Sequence, residues 1–270
     1  MDTIVQELED NLPDAFSRTL LKGGLEALNS ENPIRAHLFA TALRELIGHL
    51  LHLFAPDQEV SNCGWFRPEA EKPTRRQRAT YAIQGGLPDA TVSTLGIDPR
   101  WLHSEMRDAF AELNKRTHVR VDTVLSDAKE IEDFQRQVLT AVNEFLSTIH
   151  ELRAELVSSI QSHANSVVFE KLIEETVAEI DLLSTHSLIE HVEVEELEVE
   201  EIRAREILYR ASGSVIVELN YGSGSDRAND MGATMSEEYP FTCAIEGSVD
   251  DLENLLHAND VKVDTSSFYE

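Results

Sequence analysis

Three groups of side chains in this sequence have types and spacings that could do chemistry. The most compact is Asn114, Lys115, Arg116 and His118, in the run Glu112-Leu-Asn-Lys-Arg-Thr-His118. Histidine titrates near neutral pH, so His118 can exchange a proton with a hydroxyl or a leaving oxygen. Lys115 and Arg116 beside it can stabilise charge that develops on phosphoryl oxygens. The competing use of His118 is to cap or pack a helix junction. A second group, His37, Thr41, Arg44, Gly48 and His52, recurs at three- and four-residue spacings, with Glu45 and His49 alongside. On a helix this is one polar stripe with a small residue at its centre, where a substrate backbone could approach closely. Arg44 and His49 are its candidate site residues, and an ordinary solvated or interface face would look the same. The third group is cationic: Arg67, Lys72, Arg75, Arg76 and Arg78, with Trp65, Phe66 and Tyr81 nearby. Guanidinium groups pair with phosphates, and aromatic rings stack on unpaired bases. Salt bridges to the acidic part of the chain are the other use for these arginines.

The elements that must position these groups can be read from hydrophobic period. Residues 12–30 and 33–55 read as helices, the second with Asn32 as cap and Pro33 in its first turn. Phe39, Leu43, Leu46, Leu50 and Leu53 form its apolar stripe, and Pro56 stops it. Between Asp57 and Pro99 turn signals dominate, with one short helix around Arg75 to Ile83. A helix from Asp98 to Asn114 leads through Lys115 to Val121 into the longest one, which begins near Ser126 with Glu130 close behind. Ile131, Phe134, Val138, Val142, Phe145, Ile149, Leu152 and Leu156 are its seam. A seam so regular must bury against other helices, within one bundle or in a coiled-coil dimer.

From about residue 189 the period changes to two, in His191-Val192-Glu193-Val194-Glu195 and again around Val215, Val217 and Leu219, which marks strands with one wet face. Phe241 to Ile245 adds a strand, Asp250 to Leu256 reads as a short helix, and Val261-Lys262-Val263 as a closing strand. The expected fold class is α+β: a helical bundle over 1–185 followed by a small β-rich domain over 186–270.

Charge divides along the same line. Residues 1–120 carry 14 Lys and Arg against 17 Asp and Glu, whereas residues 121–270 carry 9 against 33. A surface as acidic as the second part repels nucleic acid, so contact with RNA or DNA is expected through the N-terminal part. The acid could equally serve solubility alone. The N-terminus, MDTIVQELEDNL, is acidic where a secretory signal would be basic and then apolar, and no segment is apolar enough to span a membrane, so a cytoplasmic protein is expected. The two cysteines, Cys63 and Cys243, form no CxxC pair, and neither a disulfide framework nor a zinc site is expected. Phosphate-loop, GxSxG and HExxH signatures are absent, as is the carboxylate set of two-metal nucleases, so no cofactor and no metal are expected. The run GSGSDRAND (222–230) could offer oxygen ligands from Asp226, Asn229 and Asp230, but it reads better as a strand-connecting turn.

Two resemblances bear on function. The segment from Glu112 to His118 resembles the helix junction of HEPN ribonucleases, where an arginine, a polar residue, a short spacer and a histidine precede the next helix. Asn114 and His118 look like the polar and histidine members. The arginine position falls among Ala111, Glu112 and Leu113, and Lys115 or Arg116 is the candidate substitute. Over nearly the whole chain, the runs IRAHLFATALREL (34–46), WFRPEAEKPTRRQRATYAIQGGL (65–87), LNKRTHV (113–119) and ASGSVIVELNYGSGSDRANDMGATMSEEYPF (211–241) resemble the predicted pPIWI-associating nucleases of bacteria. That resemblance implies a prokaryotic defence setting, a partner defence protein and phosphodiester cleavage. The rival class is a non-catalytic adaptor or sensor subunit. HEPN-like sites are composed across a two-fold axis, so a homo-oligomer is expected, with the long seam as one candidate surface.

Overall fold

The computed structural model describes residues 2–174, 178–222, 232–253 and 256–269. In chain order the elements are α1 (Asp2–Asn11), α2 (Ala15–Leu28), α3 (Arg35–Phe54), α4 (Asp57–Asn62), α5 (Arg75–Gln84), α6 (Asp89–Thr94), α7 (Pro99–Thr117), α8 (Ala128–Glu174), α9 (Ala178–Asp181), β1 (His186–Ile202), β2 (Glu206–Tyr221), β3 (Ala233–Ser248), β4 (Leu256–Val263) and a last 3-10 turn, Ser266–Tyr269. A helical N-terminal and central region is thus followed by one antiparallel sheet, ordered β1-β2-β3-β4. The chain forms two compact units, Met1–Leu152 and Arg153–Glu270, and α8 contributes residues to both.

The first unit is a helical bundle. Asp14 opens α2, its carboxylate accepting the Ser17 amide at 2.7 Å while the Ser17 hydroxyl accepts the Asp14 amide. On α3, Phe39, Leu43, Leu46 and Leu50 are fully buried, whereas Leu53, counted in the same stripe, is largely exposed. Asn32 does not cap α3. Its side-chain oxygen accepts from the Ile34 amide at 2.9 Å and its carbonyl from Arg35, so it shapes the turn before the helix. The two helices approach closely at Gly24, where a Cβ would lie 2.9 Å from Leu43 Cδ2.

On α8, Asp127 rather than Ser126 is the cap, accepting the Lys129 and Glu130 amides. Ile131, Phe134, Val138, Val142, Phe145, Ile149 and Leu152 are at most 7% exposed, and Phe134 meets Phe39 edge to face at 5.7 Å. The seam is therefore consumed within the chain and is not an exposed surface for self-association.

In the second unit the stripe of α8 continues as Leu156, Ile160, Ala164, Val168 and Leu172, all buried, over the apolar face of the sheet. Period two holds along β2 and β3: Ile207, Tyr209, Ala211, Val215, Val217 and Leu219 on one, Tyr239, Phe241, Cys243 and Ile245 on the other, all face inward. On β1 the alternation is interrupted by register shifts between Ile189 and His191, Val194 and Glu196, and Val199 and Glu201. Each shift inserts one exposed glutamate (Glu190, Glu195, Glu200), and such bulges twist an edge strand away from further pairing.

The short helix over Asp250 to Leu256 does not form: 250–253 is bend and turn, and Leu256 begins β4, paired to Gly247. Leu256 and Ala258 alternate inward beside β3, a partner that local helix propensity does not take into account. The candidate ligands Asp226, Asn229 and Asp230 lie outside the described residues. No helix among the described residues is long and apolar enough to cross a membrane.

Candidate functional site

The Glu112–His118 segment is the last turn of α7 and the residue after it, so Asn114, Lys115 and Arg116 are helical and His118 is the first residue beyond. Asn114, Lys115 and His118 are exposed. Lys115 Nζ lies 3.9 Å from Glu112, a loose contact that leaves the ammonium mobile. The His118 imidazole is bonded to no described residue, and its carbonyl accepts from the Thr123 hydroxyl at 3.0 Å. Exposed Val119 and Val121 follow it.

Arg116 has a different role from its neighbours. Its guanidinium donates to Thr123 O and Glu112, each at 3.2 Å, and stands 4.9 Å above the Phe134 ring. It ties the end of α7, the loop and α8 together, and it is a clamp before it is a free cation. The first member of the α3 stripe, which was not one of its two candidate site residues, holds the same turn: His37, 3% exposed, donates from Nδ1 to the Arg116 carbonyl at 2.5 Å. That carbonyl is one of the orphan acceptors at a helix C-terminus. Its place in the polar stripe was legible in the sequence; the signal for a buried role was that His37 sits among Ala36, Phe39 and Ala40, an apolar stretch in which a polar side chain needs a partner.

Beyond His37, the candidate residues of the α3 stripe, Arg44 and His49, do not converge on this point. His49 lies twelve residues beyond His37, ~18 Å along the helix axis. Its Nε2 contacts Asp14 Oδ2 at 2.7 Å and its ring meets Phe16 edge-on at 5.0 Å. Arg44, ~10 Å from His37 by the same rise, is half-buried with Glu45 3.9 Å away.

The Ser17 amide, with His49 behind it, holds the Asp14 carboxyl well below the usual carboxylate range, at about 2. A depressed folded-state pKa contributes stability that is complete above the unfolded value near 4 and is lost as pH falls toward 2. Thermal unfolding of the wild type is therefore expected to weaken across that window, and Asp14→Asn to remove this share of the slope. A slope unchanged in the variant would show that Asp14 is not the group responsible.

The cationic group divides in two. Arg78, 5% exposed, donates to Ala55 O at 2.8 Å and to Asp57 at 2.5 Å, closing the end of α3. Tyr81 is 5% exposed, with its hydroxyl 3.5 Å from Glu59, and Trp65 is half-buried with its indole N–H on Gly85 O at 2.8 Å. These three are parts of the packing around α5. Arg67, Lys72, Arg75 and Arg76 are exposed; Arg76 pairs with Glu69, and Arg67 donates to the Gly64 and Phe66 carbonyls. Thr74 and Gln77 form the capping box that starts α5 and fixes Arg75 in its first turn. Arg75 then stands 5.2 Å from the ring centroid of Phe110 on α7. Phe110 and Asn114 are four residues apart, one turn on the same face, and His118 follows just past the end of the helix. The exposed cation of α5 and the exposed end of α7 are thus joined along one helix face. Among the described residues no three His, Cys, Asp or Glu side chains cluster in a way that could hold a metal ion.

Two family models match the sequence, one over residues 9–142 and one over 149–269, and both describe a predicted pPIWI-associating nuclease. The chain belongs to this family. The two matches of the predicted pPIWI-associating nucleases meet inside α8, close to the division between the compact units. No curated protein and no solved structure matches the chain.

Proposed function

We propose that the chain is a nuclease of a prokaryotic anti-phage defence system that works beside a pPIWI partner, and that it cleaves phosphodiesters at the end of α7 without a dedicated metal. His118 acts as acid or base, Lys115 stabilises charge on the phosphoryl oxygens, and Asn114 contacts the strand from the same face. Arg75, with Lys72 and Arg67, holds the strand through its phosphates. Family membership supports nucleic acid as substrate.

The observation that supports the reading is the contact of the exposed Arg75 with Phe110, one helical turn before Asn114 on α7. From Phe110 to Thr117, the last residue of α7, is ~10 Å of helix, or about three stacked nucleotides at ~3.4 Å each. Arg75 and Arg76 also occupy the positive end of α5, a placement that the helix dipole disfavours and that a bound phosphate would relieve. The helix junction is HEPN-like in placing a polar residue and a histidine ahead of the next helix, with Lys115 as the free cation in place of the arginine.

Full-length protein titrated into a labelled single-stranded oligonucleotide, RNA and DNA in parallel, tests the binding half. Affinity is expected to fall with added salt, and the double substitution Arg75→Ala, Lys72→Ala to lower the log–log slope by about 1.4, two phosphate contacts at ~0.7 each. If the wild type binds neither strand at low salt, a non-catalytic adaptor or sensor takes the place of this reading.

A further inference from the structure

The bond between His37 and Arg116 spans 79 positions of sequence and joins the first turn of α3 to the last turn of α7. A carbonyl oxygen only accepts, so His37 donates from Nδ1. Its Nε2 is buried with no partner among the described residues, and so is Nε of Arg116. Two buried polar atoms without a described partner thus belong to the two residues that the bond connects. Buried polar atoms without partners cost stability, and a leucine of similar size at 37 would carry no such atom. Stability alone therefore does not explain a histidine at this position, whereas geometry does. The Arg116 carbonyl lies between Lys115 and His118, and its own side chain is locked by Glu112, Thr123 and Phe134. Both the backbone and the side chain of Arg116 are thus held, which restricts the turn on either side of it.

We infer that His37 is a positioning residue for the end of α7, which sets Lys115 and His118 through the Arg116 carbonyl. This rests on the reading of that end as the cleavage site. His37 touches no substrate in this account. It acts by removing freedom from the two groups that do, in the way supporting hydrogen bonds preorganise reacting side chains.

The test compares full-length wild type with His37→Leu, which keeps the volume and loses the donor, and His37→Gln, which keeps a side-chain N–H. Amide hydrogen exchange over 113–124 is read beside kcat and KM for cleavage of single-stranded RNA. In the leucine variant, exchange in that segment is expected to rise and kcat to fall by about tenfold each, the change that loss of one hydrogen bond produces, with KM held and exchange in the rest of α3, α7 and α8 as in the wild type. The glutamine variant is expected to recover both. If the leucine variant instead loses protection throughout α3, α7 and α8, His37 is a packing residue and the inference is overturned. It is overturned equally if the segment loosens and kcat does not move, or if glutamine fails to rescue. Should the wild type cleave nothing, the nuclease reading fails, and exchange in 113–124 alone decides whether His37 fixes this turn.

Discussion

Replacing His118 with alanine is expected to reduce cleavage by ~100- to 10,000-fold, the contribution of a positioned proton transfer, while leaving the melting temperature unchanged. The second half of that expectation comes from the fold. His118 is exposed, its imidazole is bonded to no described residue, and its backbone carbonyl, held by Thr123, is kept in the variant. A histidine that merely packed the junction would give the opposite pattern, lower stability with cleavage intact. Lys115→Ala is expected to lower kcat without unfolding, because Lys115 is exposed and makes only a loose contact with Glu112. Arg116→Ala should behave differently. It removes bonds to Glu112 and Thr123 and the contact with Phe134, so its loss of activity would arrive together with a loss of stability. Activity and melting temperature measured on the same three variants separate these cases. A His118→Ala protein that cleaves normally would end the catalytic assignment.

How much of this could be read in the sequence depends on whether the information is local. The seam from Ile131 to Leu152 was legible because a helix repeats its environment every three or four residues, and burial follows that repeat. The inward residues of β2 were legible for the same reason at period two. The start of α3 was not, because Asn32 and Pro33 carry helix-cap signals while the Asn32 side chain folds back onto Ile34. Nor was β4, whose residues 256–263 become a strand only because β3 offers an edge.

The candidate site shows the same division. Residue type pointed to Asn114, Lys115, Arg116 and His118 as a group, and they do lie together at one helix end. Type could not separate Arg78, turned inward onto Ala55 and Asp57, from Arg75, turned outward over Phe110, since both are arginines three residues apart on one short helix and only their distant packing partners differ. His37 was hidden by sequence distance. Its partner is 79 residues away, and nothing in the neighbourhood of either residue names the other.

Gly213→Ala is expected to destabilise the sheet by about 3 to 5 kcal/mol, the upper end of the range for single substitutions. A Cβ on Gly213 would lie 1.9 Å from the carbonyl oxygen of Glu193, 2.9 Å from its carbon and 3.0 Å from the amide nitrogen of Glu195. All three are backbone atoms of the bulge in β1, so no side-chain rotation relieves the clash. The bulge must be undone. It is also the point where α8 is fastened to the sheet, since the Val194 amide donates to Asn165 Oδ1 at 2.8 Å. Glycine on β2 permits the bulge, the bulge frees one amide, and asparagine on the helix accepts it. Asn165→Ala should therefore cost about 1 to 3 kcal/mol by leaving that amide unpaired. Combining it with Gly213→Ala should cost less than the sum, because both act on the same joint. Both tryptophans lie before residue 152, so their fluorescence follows the helical unit, and exchange of the β1 and β2 amides follows the sheet. The expected result is lost protection in the sheet at a denaturant concentration where the tryptophan signal remains native. A Gly213→Ala protein with wild-type protection in β1 would mean that the strands separate at this point at no cost, and that the bulge does not fasten the helix.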